Sequence, residues 1–269
     1  MMSRIATKLE GLKVKGQKAL IPYIMAGDPD LDTTGRLVIE MERAGADMIE
    51  LGVPFSDPLA DGPTIQRAAI RALQEGVTLK KVFELVRGLR KQTQVPIILM
   101  LYYNLIFKYG EEKFVRDAVK AGVDGVITPD LPPDEASVLI GEARNSGLDL
   151  IFLLAPTSSP ERIRLVAKKG SGFIYYVSLT GVTGARAALD KGIADKVEEI
   201  RRASDRPVCV GFGISTPEQA KDVAKLADGV IVGSAIVGVI EKSADAADAV
   251  RRVAAFVGDM KKAVSNPGV

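Results

Sequence analysis

The 269-residue sequence contains no histidine, no tryptophan and one cysteine, Cys209. Without histidine the chain lacks the commonest general base and the commonest zinc ligand, so acid–base chemistry falls to carboxylates, tyrosines or lysines. We therefore expect no metal site, and a single cysteine excludes a disulfide framework. Cys209 stands in the apolar run 207–210, where we predict a small buried side chain in a strand.

Long hydrophobic runs and a strong net charge are missing as well. The apolar runs fall far short of the ~20 residues that a membrane-spanning helix needs, and the first residues lack a signal-peptide core. The sequence therefore predicts a cytoplasmic protein with no membrane contact. A formal net charge of +2, with basic pairs dispersed along predicted helices, also argues against nucleic-acid binding.

The sequence does contain a repeat in which a short apolar run is followed by a loop and an amphipathic helix. Eight runs are predicted to be strands: 19–25, 47–51, 96–101, 124–127, 149–154, 172–177, 207–211 and 228–232. They are continuously apolar, as strands of a parallel sheet covered on both faces must be. Eight such units without a linker predict one α/β domain over 1–269, a (β/α)8 TIM barrel, with a short leading helix within 2–10.

In such a barrel the loops that follow the strands meet at one open face, where function is expected. Three of the last loops are rich in glycine: Gly181-Val182-Thr183-Gly184, Gly211-Phe212-Gly213 and Gly233-Ser234. Free backbone N–H groups and a helix amino terminus bind anions. Tight turns would account for any one of these loops but less easily for all three, so together they predict a phosphate site.

The segment 47–66 begins as an apolar strand and then breaks into a loop with three prolines. It places Glu50 among aliphatic neighbours, where a buried carboxylate is unfavourable unless it is paired or used. Glu50 is therefore either half of a hidden ion pair or a working acid–base group. Asp61 comes from a loop that can fold back over Glu50, and two carboxylates in different surroundings can divide acid and base roles. For Asp57, turn formation or a partner contact is the simpler interpretation.

Apolar and aromatic side chains at other strand ends would form a flat slot beside these acids, although each could equally be ordinary barrel filling. They are Tyr23, Met100, Ile127 and Phe212. No lysine lies in or next to a strand end, which disfavours an aldolase that works through an imine.

The run Ile49-Glu50-Leu51-Gly52-Val53-Pro54-Phe55-Ser56-Asp57-Pro58-Leu59-Ala60-Asp61-Gly62-Pro63 resembles the signature of tryptophan synthase alpha subunits. Motifs similar to those of that family also stand at 27–29, 102–104, 129–132, 155–157, 181–184, 211–214 and 233–234. The resemblance covers essentially the full chain.

This resemblance implies a lyase that splits indole-3-glycerol phosphate into indole and D-glyceraldehyde 3-phosphate without a cofactor of its own. It implies acid–base work for Glu50, binding of the indole N–H by Asp61 and a supporting donor role for Tyr175. Thr183 would lie in a loop that closes over the substrate pocket. The phosphate-binding residues that it implies are Gly184, Gly213, Gly233 and Ser234.

The resemblance also implies a partner, a pyridoxal-phosphate-dependent beta subunit that joins indole to serine in an alpha2beta2 complex. The residues that would face this partner are Pro54, Asp57, Asn104 and Pro132. Three positions depart from the family pattern: Tyr23 stands where many relatives carry phenylalanine, Met100 where many carry leucine, and Leu179 where some carry arginine.

Three other functions compete with this interpretation. A sugar-phosphate isomerase would share the glycine loops, but the 49–63 signature argues against it. A non-catalytic allosteric barrel would not need Glu50 and Asp61. A free-standing indole-releasing lyase differs only in whether the isolated chain turns over quickly.

Overall fold

The computed structural model describes residues 2–178, 186–211 and 213–265, and only the backbone of 186–191. Within these ranges parallel strands alternate with helices. The strands are β1 Ala19–Met25, β2 Ile49–Gly52, β3 Ile97–Met100, β4 Gly125–Ile127, β5 Asp149–Ile151, β6 Leu153–Leu154, β7 Ile174–Val177, β8 Val208–Gly211 and β9 Gly229–Val232. The helices are α1 Arg4–Val14, α2 Leu31–Arg43, α3 Pro63–Gln74, α4 Leu79–Leu89, α5 Tyr103–Tyr109, α6 Glu111–Ala121, α7 Ser137–Ser146, α8 Pro160–Lys169, α9 Arg186–Ala203, α10 Pro217–Leu226, α11 Ser234–Glu241 and α12 Ala246–Ser265.

The strands form one sheet in the order β5-β4-β3-β2-β1-β9-β8-β7-β6. The run 149–154, predicted as one strand, is divided at Phe152 into β5 and β6. Its first part, β5, pairs with β4, and its second part, β6, pairs with β7. The run therefore changes its pairing partner at the position where the sheet closes into a barrel. The predicted eight-unit TIM barrel is confirmed, with the closing strand in two pieces because its halves have different partners.

The leading helix α1 fills the end of the barrel at which the strands begin. Ser3 caps it by accepting a hydrogen bond from the Ala6 N–H at 3.2 Å. Its edge of Ile5, Leu9 and Leu12 is buried and belongs to the apolar cluster formed by the side chains inside the barrel. The short leading helix is therefore confirmed, and α1 makes a floor below the opposite, open end.

Aspartates stand directly before or close to several strand starts. Asp47, Asp124 and Asp228 each accept a hydrogen bond, 2.8 or 2.9 Å long, from a backbone N–H of the neighbouring strand. Basic side chains complete these sites: Lys261 lies 2.6 Å from Asp47, and Arg4 lies 2.7 Å from Asp124. The beginnings of the strands are thus joined by a rim of paired acids.

The outer helices each bury one face against the barrel. In α4, for example, the side chains at helical spacing Leu79, Val82, Phe83, Val86 and Leu89 are buried, as the 3.6-residue period of this segment predicts. None of the helices in the described ranges combines the length and the apolar character needed to cross a lipid bilayer.

Candidate active site

Glu50 lies on β2 with its side chain inside the barrel, beside Tyr23 of β1 and Ile98 of β3 in the strand register. It is 1% exposed, and its Oε2 atom has no hydrogen-bond partner among the described residues. Burial, and then the nearby Asp61 charge, raise the pKa of Glu50 to about 8. The hidden ion pair that the sequence allowed is therefore not found within the described ranges, and near neutral pH Glu50 is a protonated acid.

Asp61 comes from the loop between β2 and α3. Its backbone N–H donates to the Pro58 carbonyl at 3.0 Å, and its carbonyl accepts from the Gln66 side-chain amide at 2.8 Å. Burial raises the pKa of Asp61 to about 6, and a hydrogen bond from Tyr102 opposes that rise. Between about pH 6 and pH 8 the site therefore holds one ionised and one protonated carboxyl, which is the division of states that acid–base chemistry requires.

Two tyrosine rings near Glu50 are seated over glycines. A Cβ atom at Gly52 would lie 2.2 Å from the Tyr23 hydroxyl, and one at Gly211 would lie 2.6 Å from the Tyr175 hydroxyl. Only glycine leaves room for these rings. Burial raises the pKa of both tyrosines well above the ordinary value, and the charge of Glu50 raises both further. The structure thus brings Tyr23 and Tyr175 to the acid that the sequence singled out.

Tyr102 belongs to the same cluster, although the sequence gave it no role beyond its place in a loop motif. Its hydroxyl accepts a hydrogen bond from the Ala60 N–H at 2.8 Å, and its ring stacks on Phe55 with 5.2 Å between centroids. Burial and the charge of Asp61 raise the pKa of Tyr102 to about 12. The signal that could have found it is an aromatic residue two positions after the end of β3, the neighbour of the strand that carries Glu50.

Met100 and Ile127 are register partners at the ends of β3 and β4. Met100 is half-buried, whereas Ile127 is fully buried in the cluster inside the barrel that also contains Tyr175. Met100 can therefore line a slot at the open end, with Ile127 below it. Two further predicted pocket residues, Thr183 and Phe212, lie outside the described residues, as does Leu179.

The predicted phosphate end follows β9, which is separated from β2 by β1 in the sheet. Ser234 is exposed and opens α11, and Gly233 precedes it with no side-chain cap on the first turn. The first N–H groups of a helix need partners from outside the helix. A Cβ atom at Gly233 would lie 3.5 Å from the Cβ of Tyr23, so Tyr23 separates this helix start from the acids. Gly213 has a φ of 73°, which favours glycine, and Gly184 lies outside the described ranges.

Comparison with known proteins gives one family. The family described as tryptophan synthase alpha chain matches residues 9–265. The tryptophan synthase alpha chain of Geobacter sp. (strain M21) is 56% identical, with 98% of each chain covered. That of Citrifermentans bemidjiense is 57% identical, again with 98% of each chain covered. This chain belongs to the tryptophan synthase alpha chain family.

Solved structures of the family have the same fold. The tryptophan synthase subunit alpha from Legionella pneumophila str. Paris is 41% identical with a TM-score of 0.92, over 98% of this chain and 99% of that one. A structure of Mycobacterium tuberculosis tryptophan synthase is 37% identical with a TM-score of 0.89, over 98% and 99% of the two chains. Both likenesses extend over the whole barrel.

The four residues that are expected to face a partner, from the resemblance to alpha subunits, differ in exposure. Asp57 and Asn104 are exposed, Pro132 is half-buried and Pro54 is buried. The loops after β3 and β4 are joined where the Tyr103 N–H donates to the Asp130 carboxylate at 2.9 Å. Within this chain, direct contact with another protein is open to Asp57 and Asn104, whereas Pro54 would act through the loop that it begins.

Proposed function

We propose that this chain catalyses the cleavage of indole-3-glycerol phosphate to indole and D-glyceraldehyde 3-phosphate, with Glu50 and Asp61 as its catalytic residues. Family membership supplies the reaction. The observation that supports these residues is the buried Glu50 carboxyl, which has no hydrogen-bond partner for Oε2 among the described residues and lies beside the less buried Asp61. A buried acid without a partner lowers stability, so its presence favours a chemical role.

The two carboxyl groups match the proton transfers of this reaction. Protonated Glu50 gives its proton to carbon 3 of the indole ring. Ionised Asp61 accepts a hydrogen bond from the ring N–H and stabilises the positive charge that develops on the ring. The Glu50 carboxylate then takes the proton of the side-chain hydroxyl. The bond from carbon 3 to the hydroxyl-bearing carbon breaks, its electron pair returns to the ring, and indole and the aldehyde are formed. Glu50 ends protonated, as it began, but with the proton that came from the hydroxyl.

The remaining residues bind and enclose the substrate in this proposal. Tyr175 donates near Glu50, and the ring of the substrate lies in the slot formed by Tyr23, Met100, Ile127 and Phe212. Thr183 belongs to the loop that excludes water during the reaction. The residues that hold the phosphate are Gly184, Gly213, Gly233 and Ser234.

The chain has no cofactor of its own in this reaction, which needs only proton transfer. It works with a tryptophan synthase beta subunit, which carries pyridoxal phosphate and joins the released indole to serine, in an alpha2beta2 complex. Asp57, Asn104 and the half-buried Pro132 face that subunit, and the buried Pro54 acts on it through the loop that Pro54 begins. We further propose that 1–269 is one catalytic domain and that the complex works in the cytoplasm.

The test is indole release from indole-3-glycerol phosphate by the wild type and by Glu50→Gln, each alone and with a beta subunit. We expect wild-type release to rise with the partner and Glu50→Gln to lose at least about 100-fold in kcat in both settings, since it keeps the shape but not the acid. Asp57→Asn is the matched control, because it neutralises an exposed acid of the same loop and should keep the release by the isolated chain. Full activity of Glu50→Gln would contradict the acid–base role of Glu50. A wild type that releases no indole would contradict indole-3-glycerol phosphate as the substrate.

A further inference from the structure

We propose that Tyr102 is a positioning residue for this reaction: it holds the loop between β2 and α3 against the end of β3 and so fixes Asp61 beside Glu50. This inference rests on the proposed function and assigns a role within the same site. The contacts that carry it are the 5.2 Å stack of Tyr102 on Phe55, with 28° between the rings, and the 2.8 Å hydrogen bond from the Ala60 N–H to the Tyr102 hydroxyl.

These two contacts lie at the two ends of the loop. Phe55 stands at its beginning, and Ala60 directly precedes Asp61. Between them the chain is held by short-range bonds, from the Leu59 N–H to the Asp57 carbonyl at 2.9 Å and from the Asp61 N–H to the Pro58 carbonyl. Such bonds fix the local turn but not the place of the turn relative to the barrel. Tyr102 belongs to the neighbouring βα unit, so its contacts do fix that place.

The Tyr102 hydroxyl also acts on the Asp61 carboxyl directly. A hydroxyl can donate one hydrogen bond while it accepts others, so acceptance from the Ala60 N–H leaves its proton for Asp61. The effect on Asp61 is consistent with this, because hydrogen bonding by Tyr102 lowers the pKa of Asp61 against the rise caused by burial. Tyr102 therefore both places Asp61 and favours its ionised form, the form that stabilises a positive indole ring.

A further contact below the loop explains why one side chain can have this effect. The Gln66 side-chain amide donates to the Asp61 carbonyl at 2.8 Å, which attaches the far side of Asp61 to the first turn of α3. Asp61 is therefore held between α3 and Tyr102. Loss of the Tyr102 hydroxyl leaves the α3 attachment in place, so the loop should stay folded while the carboxyl loses its exact direction.

The experiment compares Tyr102→Phe with the wild type in the indole-release assay from pH 5 to 9. Tyr102→Phe keeps the ring stack but removes both hydroxyl contacts. We expect kcat to fall about 10- to 100-fold with a smaller change in KM, as for a misplaced catalytic group, and the acidic limb of the kcat profile to move to higher pH. Wild-type kcat together with a wild-type acidic limb would overturn the proposal.

Two controls separate positioning from a general structural effect. Tyr109→Phe removes a hydroxyl that donates to Asp117 at 2.8 Å outside the site, and it should leave kcat and the pH profile unchanged. Phe55→Leu removes the stack but keeps the Tyr102 hydroxyl, so we expect a lower kcat with a smaller shift of the acidic limb. A Phe55→Leu variant with wild-type kcat would show that the stack does not position Asp61.

Titration of carbon-13-labelled aspartate carboxyls gives a measurement that does not depend on turnover. The pKa of Asp61 should be higher in Tyr102→Phe than in the wild type, and an unchanged pKa would contradict the proposed contact. If the wild type releases no indole while this shift is observed, the proposed function fails and the link from Tyr102 to Asp61 stands.

Discussion

The two ends of the barrel treat buried acids in opposite ways. Where the strands begin, Asp124 has a side chain 4% exposed and is bound by Arg4, Arg90 and the Ile97 N–H. Toward the open end, Glu50 is as deeply buried, but Oε2 has no hydrogen-bond partner among the described residues. The first arrangement stabilises the folded chain as long as every partner is present, whereas the second lowers stability whenever the group is ionised.

This difference shows which acids the fold needs for stability and which it only accommodates. The paired aspartates connect the beginnings of neighbouring strands to each other and to the helices beside them, so each removal should weaken the barrel. Glu50 has no hydrogen-bond partner at Oε2 within the described part of the chain, and burial, followed by the nearby Asp61 charge, raises its pKa. Substitutions at the two ends should therefore change stability in opposite directions, and the following predictions test this from the largest expected effect to the smallest.

Glu50→Gln should stabilise the chain at alkaline pH. The pKa of Glu50 is raised from 4.5 to about 8 in the folded state, so the unfolded chain loses this proton at lower pH and wild-type stability falls as the pH rises from about 4.5 to 8. Glutamine has no proton to lose. The advantage of the variant in free energy of unfolding should grow from near zero at pH 4 to on the order of 4 to 5 kcal/mol above pH 9.

Urea unfolding at a series of pH values measures this advantage. Glu112→Gln is the surface control, because the Glu112 side chain is 77% exposed and pairs with Arg116 of its own helix. The free energy of unfolding of this variant should follow the wild-type dependence on pH. A constant difference between Glu50→Gln and the wild type at all pH values would show that Glu50 is not a buried acid without a partner.

Asp124→Ala should have the opposite effect and cost about 3 to 5 kcal/mol, since it removes the carboxylate partner of the Arg90 charge and leaves the Arg90 Nη2 group and the Ile97 N–H without their acceptor. Urea unfolding at pH 7 measures the loss, and indole release per folded molecule should remain. Asp259→Ala removes an exposed ion pair with Lys262 in α12 and should cost less than about 1 kcal/mol. Equal losses for both variants would contradict a special role for the paired rim.

Ile5→Val tests the floor at the same end and should have the smallest effect. Ile5 is fully buried, and loss of one methyl group there should cost about 1 kcal/mol without a change in kcat or KM. Its Cδ1 atom lies 2.8 Å from the place where a Cβ of Gly125 would stand. Gly125→Ala should therefore cost less in the Ile5→Val background than in the wild type, and additive losses in a double-mutant cycle would contradict the contact.

The sequence indicated Glu50 as a candidate catalytic residue but could not indicate that Tyr102 positions Asp61 beside it. Glu50 was visible because an acid inside an apolar run is unusual along the chain itself. Tyr102 is ordinary in its own segment and gains meaning only from Phe55 and Ala60, which lie more than forty positions away in sequence. Contacts between loops of different βα units depend on how the barrel closes, and local patterns do not contain that information.

The strand boundaries show the same limit. The apolar runs at 47–51, 124–127 and 228–232 were predicted as strands from their first residue, whereas β2, β4 and β9 begin at Ile49, Gly125 and Gly229. The acids in front of them belong to the paired rim. Their side chains accept hydrogen bonds from neighbouring strands, which a pattern of apolar residues in one strand cannot indicate.

Periodicity and residue type are local properties, so the amino-acid sequence was enough to predict the alternation of strands and helices, the barrel, the family and the unusual position of Glu50. The tertiary structure decided that Glu50 is unpaired within the described residues while Asp124 is paired, that Tyr23 and Tyr175 lie over glycines, and that Tyr102 reaches the Asp61 loop. The reason is physical: pairing and pKa depend on which groups meet across the closed barrel, and those distances arise only when the chain has folded.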